Sequence, residues 1–246
     1  MSSHFNTTAL VTGASRGIGR AIAERLGRDG FNVVVGYAGN AAKAEETVRA
    51  IQAAGSQALA VQADVADPAA VSAMFDQAVA AFGAVQVVVN SAGMMPMAKI
   101  DPDNLAAFDQ VIQTNLRGSF LVLGEAAKRL VEGGRIIAVS TSVIARNFPS
   151  YGPYIASKLG TEGLVRVLAN ELRGRQITVN AVAPGPVATE LFLEGKSEEA
   201  IAQIAKLSPM ERLGEVEDIA GVVSFLAGPD AGWVNAQILR ANGGFA

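Results

Sequence analysis

Tyr154 and Lys158 stand four residues apart in the run Tyr154-Ile155-Ala156-Ser157-Lys158, and the chain's proton chemistry concentrates there. On a helix that spacing sets both side chains on one face, within reach of each other. An ammonium beside a phenol favours the phenolate, so Lys158 is expected to draw Tyr154 below its ordinary pKa of about 10. A tyrosine tuned in this way passes a proton near neutral pH. The same spacing also suits a packed tyrosine and a surface lysine on an ordinary helix, so its meaning depends on the surroundings.

Few other groups could do such work. The 246 residues include no cysteine and a single histidine, His4. Thiol nucleophiles, disulfides and thiolate metal sites are excluded, and no metal is expected. A Ser-His-Asp triad has no plausible histidine. Proton transfer is left to Tyr, Lys, Asp, Glu or water. The formal net charge is −3 with no block of basic residues, so neither nucleic acid nor an anionic membrane is expected as a partner. No apolar run approaches the ~18 residues of a membrane span, and the first residues lack the pattern of a signal peptide. The expectation is a cytoplasmic protein.

The elements that must position Tyr154 alternate between short β-branched runs and longer helical patterns. Strands are expected over residues 7–12, 32–36, 57–61, 86–89, 135–139, 177–181 and 237–240. Helices are expected over 17–28, 41–54, 68–82, 105–130, the stretch carrying Tyr154, and 214–227. Asp67-Pro68 reads as a helix N-cap and first-turn proline, and Pro153 starts the Tyr154 helix in the same way. Strands that are apolar without alternation, separated by helices, imply a parallel sheet of about seven strands covered on both faces. No linker, repeat or low-complexity stretch divides residues 1–246, so one domain is expected. Residues 188–210 break the pattern and read equally as a substrate lid or as a plain surface insertion.

The first strand runs into Thr12-Gly13-Ala14-Ser15-Arg16-Gly17-Ile18-Gly19 and then a helix. That context suits a dinucleotide turn, with glycines allowing close approach of backbone to pyrophosphate and a helix N-terminus supplying N–H donors. The spacing is G-x-x-x-G-x-G, and no Gly-Lys-Ser/Thr ending supports a P-loop. Enzymes that prefer NAD place a carboxylate at the end of the second strand. Here that region, Val35-Gly36-Tyr37-Ala38-Gly39-Asn40, has none, and Arg16 is a guanidinium suited to a 2′-phosphate. NADP(H) is therefore expected ahead of NAD(H), with Tyr37 and Asn40 beside it.

Several separated pieces, in order, match one family: the turn from Gly13 to Gly19, Asp64-Val65, Asn90-Ser91-Ala92-Gly93, Asn115, Tyr154 with Lys158, Pro184-Gly185-Pro186-Val187-Ala188-Thr189, and Asn242-Gly243-Gly244. On these residues the chain resembles the short-chain dehydrogenase/reductase family along nearly its whole length. The resemblance implies a doubly wound Rossmann-type fold and a nicotinamide cofactor. It makes Tyr154 the proton donor in carbonyl reduction, Lys158 the holder of the nicotinamide ribose, and Asn115 the anchor of a water that relays protons to Lys158. Gly13, Ser15, Arg16, Gly17, Ile18 and Gly19 would hold phosphates, and Asp64 and Val65 the adenine. Asn90, Ala92 and Gly93 would line the cofactor, and Ser140 would touch it. Pro184, Gly185, Val187 and Thr189 would close over the nicotinamide amide. A hydroxyl that polarises the substrate carbonyl is also implied, about thirteen residues before the tyrosine. Ungapped counting gives Thr141, and one residue of loop difference gives Ser142, which is favoured.

Two departures stand out: Ser91 where a second asparagine is common, and Ala236 where a glycine is common. Trp233 and Phe245 are placed either in a subunit contact of a homotetramer, the assembly the resemblance suggests, or in the core. The substrate pocket would come from residues 94–97, 144–151 and 191–210, which suit a small hydrophobic carbonyl compound or alcohol. An NADPH-dependent carbonyl reductase is the main expectation. A 3-oxoacyl carrier-protein reductase, with Arg129 and Arg166 as candidate carrier contacts, is the enzyme alternative. A non-catalytic NADP(H)-sensing scaffold is the alternative from another class.

Overall fold

Seven strands pair into one sheet in the computed structural model, which describes residues 7–246 and leaves His4 outside. They are β1 Thr8–Thr12, β2 Asn32–Tyr37, β3 Ala58–Gln62, β4 Val85–Asn90, β5 Arg135–Val139, β6 Thr178–Pro184 and β7 Ile238–Ala241. Their order is β3-β2-β1-β4-β5-β6-β7 and every pairing is parallel. The helices are α1 Gly17–Arg28, α2 Ala41–Ala53, α3 Pro68–Phe82, α4 Leu105–Val111, α5 Gly118–Arg129, α6 Gly152–Glu171, α7 Glu190–Leu193, α8 Glu198–Ala205 and α9 Val216–Ala227.

Alternate strand residues serve opposite faces, as a pleat requires. Ala9, Val11, Val33, Val35 and Val89 pack against Ile22 and Leu26 of α1, Ile51 of α2 and Val223 of α9. Leu10, Val34, Val88 and Ile136 pack against Met74 and Phe75 of α3, Val122 of α5 and Val165 of α6. Apolar residues at successive strand positions therefore serve two cores, and each fully buried Val, Leu or Ile contributes about 1.5–3 kcal/mol. Among the described residues no helix is long and apolar enough to cross a membrane.

Local signals set the helix starts. The Asp67 carboxylate accepts from Ala69 N at 2.8 Å with Pro68 in the first turn, and Asn40 Oδ1 accepts from Lys43 N at 3.0 Å. Two features depart from the sequence pattern. The helix expected over residues 105–130 is interrupted by a π-helical segment, Ile112–Arg117, between α4 and α5. Asn115, fully buried, sits in that segment and bonds sideways to Met94 rather than along the helix; single-turn π segments of this kind often mark functional sites. Ala236 has φ +58°, a left-handed conformation that favours glycine, while its N–H bonds Val179 O at 2.9 Å just before β7.

The sheet order reverses between β1 and β4. Crossovers leave these neighbours in opposite directions, which opens a crevice beyond their carboxyl ends.

Candidate active site

A cavity of about 810 Å³ occupies that crevice, bounded by the segments leaving β1, β2, β4, β5 and β6. At one end the glycine turn is packed so closely on neighbouring backbone that it admits no side chains. A Cβ on Gly13, whose φ is +65°, would lie 2.8 Å from Ala92 Cα, and one on Gly19 would lie 2.2 Å from Gly13 O. Arg16 precedes α1 with extended backbone and no side chain capping the helix, so the first-turn N–H groups and the positive helix end are left for the cavity. A narrow backbone cradle with uncapped donors fits a diphosphate. Ser15, Arg16, Gly17 and Ile18 line this end, as do Tyr37 at the end of β2 and Asn40 beyond it, and Asp64 and Val65 after β3. Asp64 also accepts from Ala66 N at 2.9 Å, so it shapes its own turn. Ala92 and Gly93 line the middle, and Pro184, Gly185, Val187 and Thr189 form the opposite wall. Lys43, in the first turn of α2, borders the same space and carried no motif to mark it in the sequence.

Tyr154 and Lys158 project from α6 into the cavity wall, with Lys158 Nζ 5.9 Å from the centroid of the Tyr154 ring. Lys158 is buried and donates to Val139 O at 2.7 Å. Burial lowers its pKa to about 8. The expected acidification of Tyr154 is corrected by the structure. Burial pushes the phenol up to about 12, a hydrogen bond with Thr141 pulls it the other way, and the nearby Tyr151 raises it. The lysine faces the Tyr154 ring and spends its short bond on a backbone carbonyl, so desolvation wins.

Thr141, two residues beyond β5, lines the cavity, and its hydroxyl favours the Tyr154 phenolate. Ser142, favoured from the sequence, does not. It is buried behind the loop, where its hydroxyl donates to Ala183 O at 2.8 Å and accepts from Asn242 Nδ2 at 3.0 Å. Of the two candidate hydroxyls, the one given by ungapped counting, Thr141, is therefore the one on the cavity wall. Ser140 lines the cavity while its hydroxyl donates backward to the buried Glu162 at 2.7 Å.

Asn90 is likewise corrected. It is buried beneath the cavity floor, where Oδ1 accepts from Thr12 Oγ1 at 3.0 Å and Nδ2 donates to Ser119 Oγ at 2.8 Å. Thr12 Oγ1 in turn accepts from Ser91 N and Ala92 N, both at 3.1 Å, so Asn90 steadies the loop after β4 without facing the cavity. Asn115 is also behind the wall. Its amide exchanges two 2.9 Å bonds with the Met94 backbone and donates to Ser157 Oγ at 3.1 Å. Asn115 Oδ1 and Lys158 Nζ converge on Gly93, 3.3 and 3.5 Å from where its Cβ would be.

The far end of the cavity is apolar. Met94 and Met95, Val143, Phe148 and Tyr151, and Leu191, Phe192, Ile204 and Leu207 line it. Residues 188–210, read from the sequence equally as a lid or a surface insertion, thus contribute α7 and α8 side chains to the wall. Phe245 is buried there too, with its ring 6.3 Å from Phe148, which removes it from a subunit contact in this chain's own fold. Trp233 is 99% exposed and belongs to no core. Arg129 is bound to Glu125 and Asp76, and Arg166 pairs with Glu162; neither lines the cavity. Among the described residues no group of three His, Asp or Glu side chains is placed to hold a metal.

A doubly wound parallel sheet with a glycine turn at its switch point is a Rossmann-type fold. Residues 13–246 match a family model described as "Enoyl-(Acyl carrier protein) reductase". A short-chain type dehydrogenase/reductase of Picea abies is 47% identical, with 96% of this chain and 91% of the relative covered. An NADPH-dependent aldehyde reductase-like protein, chloroplastic, of Arabidopsis thaliana is 44% identical over 96% of this chain and 93% of its own. A short chain dehydrogenase from Burkholderia cenocepacia, solved in complex with NADP, superposes with a TM-score of 0.92 at 37% identity, covering 98% of each chain. The chain belongs to the short-chain dehydrogenase/reductase family, a family of oxidoreductases.

Proposed function

We propose that this protein is an NADPH-dependent carbonyl reductase. The observation that carries the reading is the meeting of the Thr141 hydroxyl, the Tyr154 phenol and the Lys158 ammonium on one wall of a cavity whose other end is an uncapped glycine turn. The turn would take the diphosphate, Asp64 and Val65 the adenine, and Arg16, Tyr37 and Asn40 the phosphorylated ribose. Lys158 and Ser140 would border the nicotinamide half, with residues 184–189 across from them. When bound, the reduced nicotinamide supplies the hydride. Thr141 holds and polarises the substrate carbonyl oxygen, and Tyr154 donates its phenolic proton to that oxygen. Lys158 offers a charge beside the phenol, and Asn115 holds the Met94 loop and α6 at the spacing this requires. The apolar end selects small hydrophobic carbonyl compounds, and residues 188–210 act as its lid. The aldehyde reductase named among the relatives and the NADP complex of the Burkholderia protein support the reading.

The carrier-protein chemistry in the family description, together with a 3-oxoacyl-[acyl-carrier-protein] reductase of Staphylococcus aureus that is 42% identical, favours a second reading, reduction of the 3-oxo group of an acyl carrier substrate. Arg129 and Arg166 lend it no support, because both are already paired away from the cavity. Exposed Phe120 on α5 and Leu159 and Val167 on α6 support the proposal of a homotetramer joined through these helices.

One experiment tests the reading. Purified protein is given ketones, aldehydes and acyl carrier thioesters with NADPH and then NADH, and cofactor absorbance is followed. Free carbonyls with NADPH should be preferred. Tyr154→Phe should lose roughly 10²–10⁴-fold in kcat while binding NADPH almost normally, and Arg16→Ala should weaken NADPH more than NADH. Turnover retained by Tyr154→Phe would remove the proton-donor role, and exclusive use of thioesters would favour the second reading.

A further inference from the structure

Lys43 and Glu190 join two walls of the cofactor cavity that are 147 residues apart in the chain. Lys43 Nζ, on α2, donates to both carboxylate oxygens of Glu190, the first residue of α7, at 2.8 and 3.1 Å. Arg16, in the glycine turn, is close enough to add to the stabilisation of the same carboxylate, which the Lys43 bond holds below the usual range. The neighbouring Thr189 packs its Cγ2 3.6 Å from where a Gly17 Cβ would be. A carboxylate from the lid segment therefore sits with two cations, Lys43 and Arg16, at the rim of the nucleotide end. The segment after β2, residues 35–40, brings no carboxylate of its own.

The geometry points to Glu190 as an internal counter-ion: it occupies the anion site made by Lys43 and Arg16, and a phosphate on the nucleotide ribose must displace it. This rests on the NADP(H) reading above and adds to it a specificity residue and a coupling. A phosphate monoester carries about −1.5 to −2 charges and three acceptor oxygens, so it outcompetes one carboxylate for the same cations. An unphosphorylated ribose has nothing with which to displace it. Lys43–Glu190 is the ion pair that ties α7 to α2, so arrival of the phosphate also frees α7 to move with the lid.

The test uses the whole chain, with 2′,5′-ADP and 5′-AMP as probes in titration calorimetry. Glu190→Gln keeps the shape and removes the charge. It should tighten 2′,5′-ADP roughly three- to tenfold and change 5′-AMP by less than about twofold. Lys43→Ala should weaken 2′,5′-ADP, and adding Glu190→Gln to it should tighten the probe by less than the same change does in the wild type, because only the Arg16 share of the competition is left. The expected gain should shrink as salt rises. A Glu190→Gln variant that binds 2′,5′-ADP no better, or that weakens both probes equally as loss of a simple strap would, overturns the counter-ion. Wild-type protein that shows no preference for 2′,5′-ADP over 5′-AMP overturns the NADP(H) reading and the counter-ion together. A wild-type preference with a silent Glu190→Gln overturns the counter-ion alone.

Discussion

Replacing Thr141 by valine keeps the β-branch and the volume and removes only the hydroxyl that meets Tyr154. If that hydroxyl steadies the developing negative charge on the substrate oxygen, its loss should lower kcat/KM by about 10²–10³-fold, the cost of one such donor. Its second duty is slight: Thr141 Oγ1 accepts from Val143 N at a long 3.3 Å, so the fold should lose only about 0.5–1 kcal/mol. Ser142→Ala should behave in the opposite way. It removes two buried bonds, to Ala183 O and from Asn242 Nδ2, which should cost about 1–3 kcal/mol of stability. Because the side chain faces away from the cavity, kcat/KM should stay within about threefold, a change worth well under 1.4 kcal/mol. Thr141→Ser should restore most of the lost rate. Cofactor absorbance gives the rates, and urea melts of the same preparations give the stabilities. A Ser142→Ala variant as impaired in turnover as Thr141→Val, or a Thr141→Val variant within threefold of wild type, would falsify this assignment of the hydroxyl.

Two further outcomes come from groups beside this hydroxyl and at the sheet edge. With Tyr154 pushed up to about 12 the phenol stays protonated through the assay range, so carbonyl reduction should be level with pH until Lys158, near 8, begins to lose its charge, and should then fall; a pH profile that rises through this region refutes the assignment. Ala236→Gly should stabilise the protein by about 0.5–1 kcal/mol, because φ +58° strains an alanine more than the added glycine entropy costs, and a lower urea midpoint would contradict this.

The sheet was legible because its signal is local. Buried parallel strands read as unbroken apolar runs, and Asp67, Asn40 and Pro153 mark helix starts through contacts a few residues long. The glycine turn was legible for the same reason: strand, turn and helix follow one another without a gap. What escaped the sequence depends on contacts across the chain. Ser142 and Thr141 carry the same functional group one residue apart, and only the extended loop after β5 decides which hydroxyl turns inward. Asn90 has the composition of a ligand contact, yet Thr12 and Ser119, far from it in sequence, claim its amide. The π segment around Asn115 leaves no mark in the apolar spacing, and its buried amide finds its partner in Met94, 21 residues away. Lys43 stood in no motif, and its role at the rim depends on a partner 147 residues later. Ala236 was visible as a departure from a common glycine, but only its positive φ turns that departure into strain.

The pKa of Tyr154 reverses the expectation drawn from spacing alone. Four residues on a helix bring a lysine near a tyrosine, but the Coulomb gain depends on where the ammonium points and on how much water both groups lose. Here the ammonium bonds Val139 O, and burial raises the phenol while lowering the lysine. A phenol near 12 is almost wholly protonated at neutral pH, so the donor needed for carbonyl reduction is present in nearly every molecule. The reverse reaction needs the phenol to accept a proton from an alcohol, and a raised pKa makes its basic form scarce. The Thr141 bond works against burial by favouring the phenolate, which eases release of the proton once a carbonyl oxygen is in place to receive it. Burial keeps the proton on Tyr154, Tyr151 adds to that effect, and Thr141 alone opposes it.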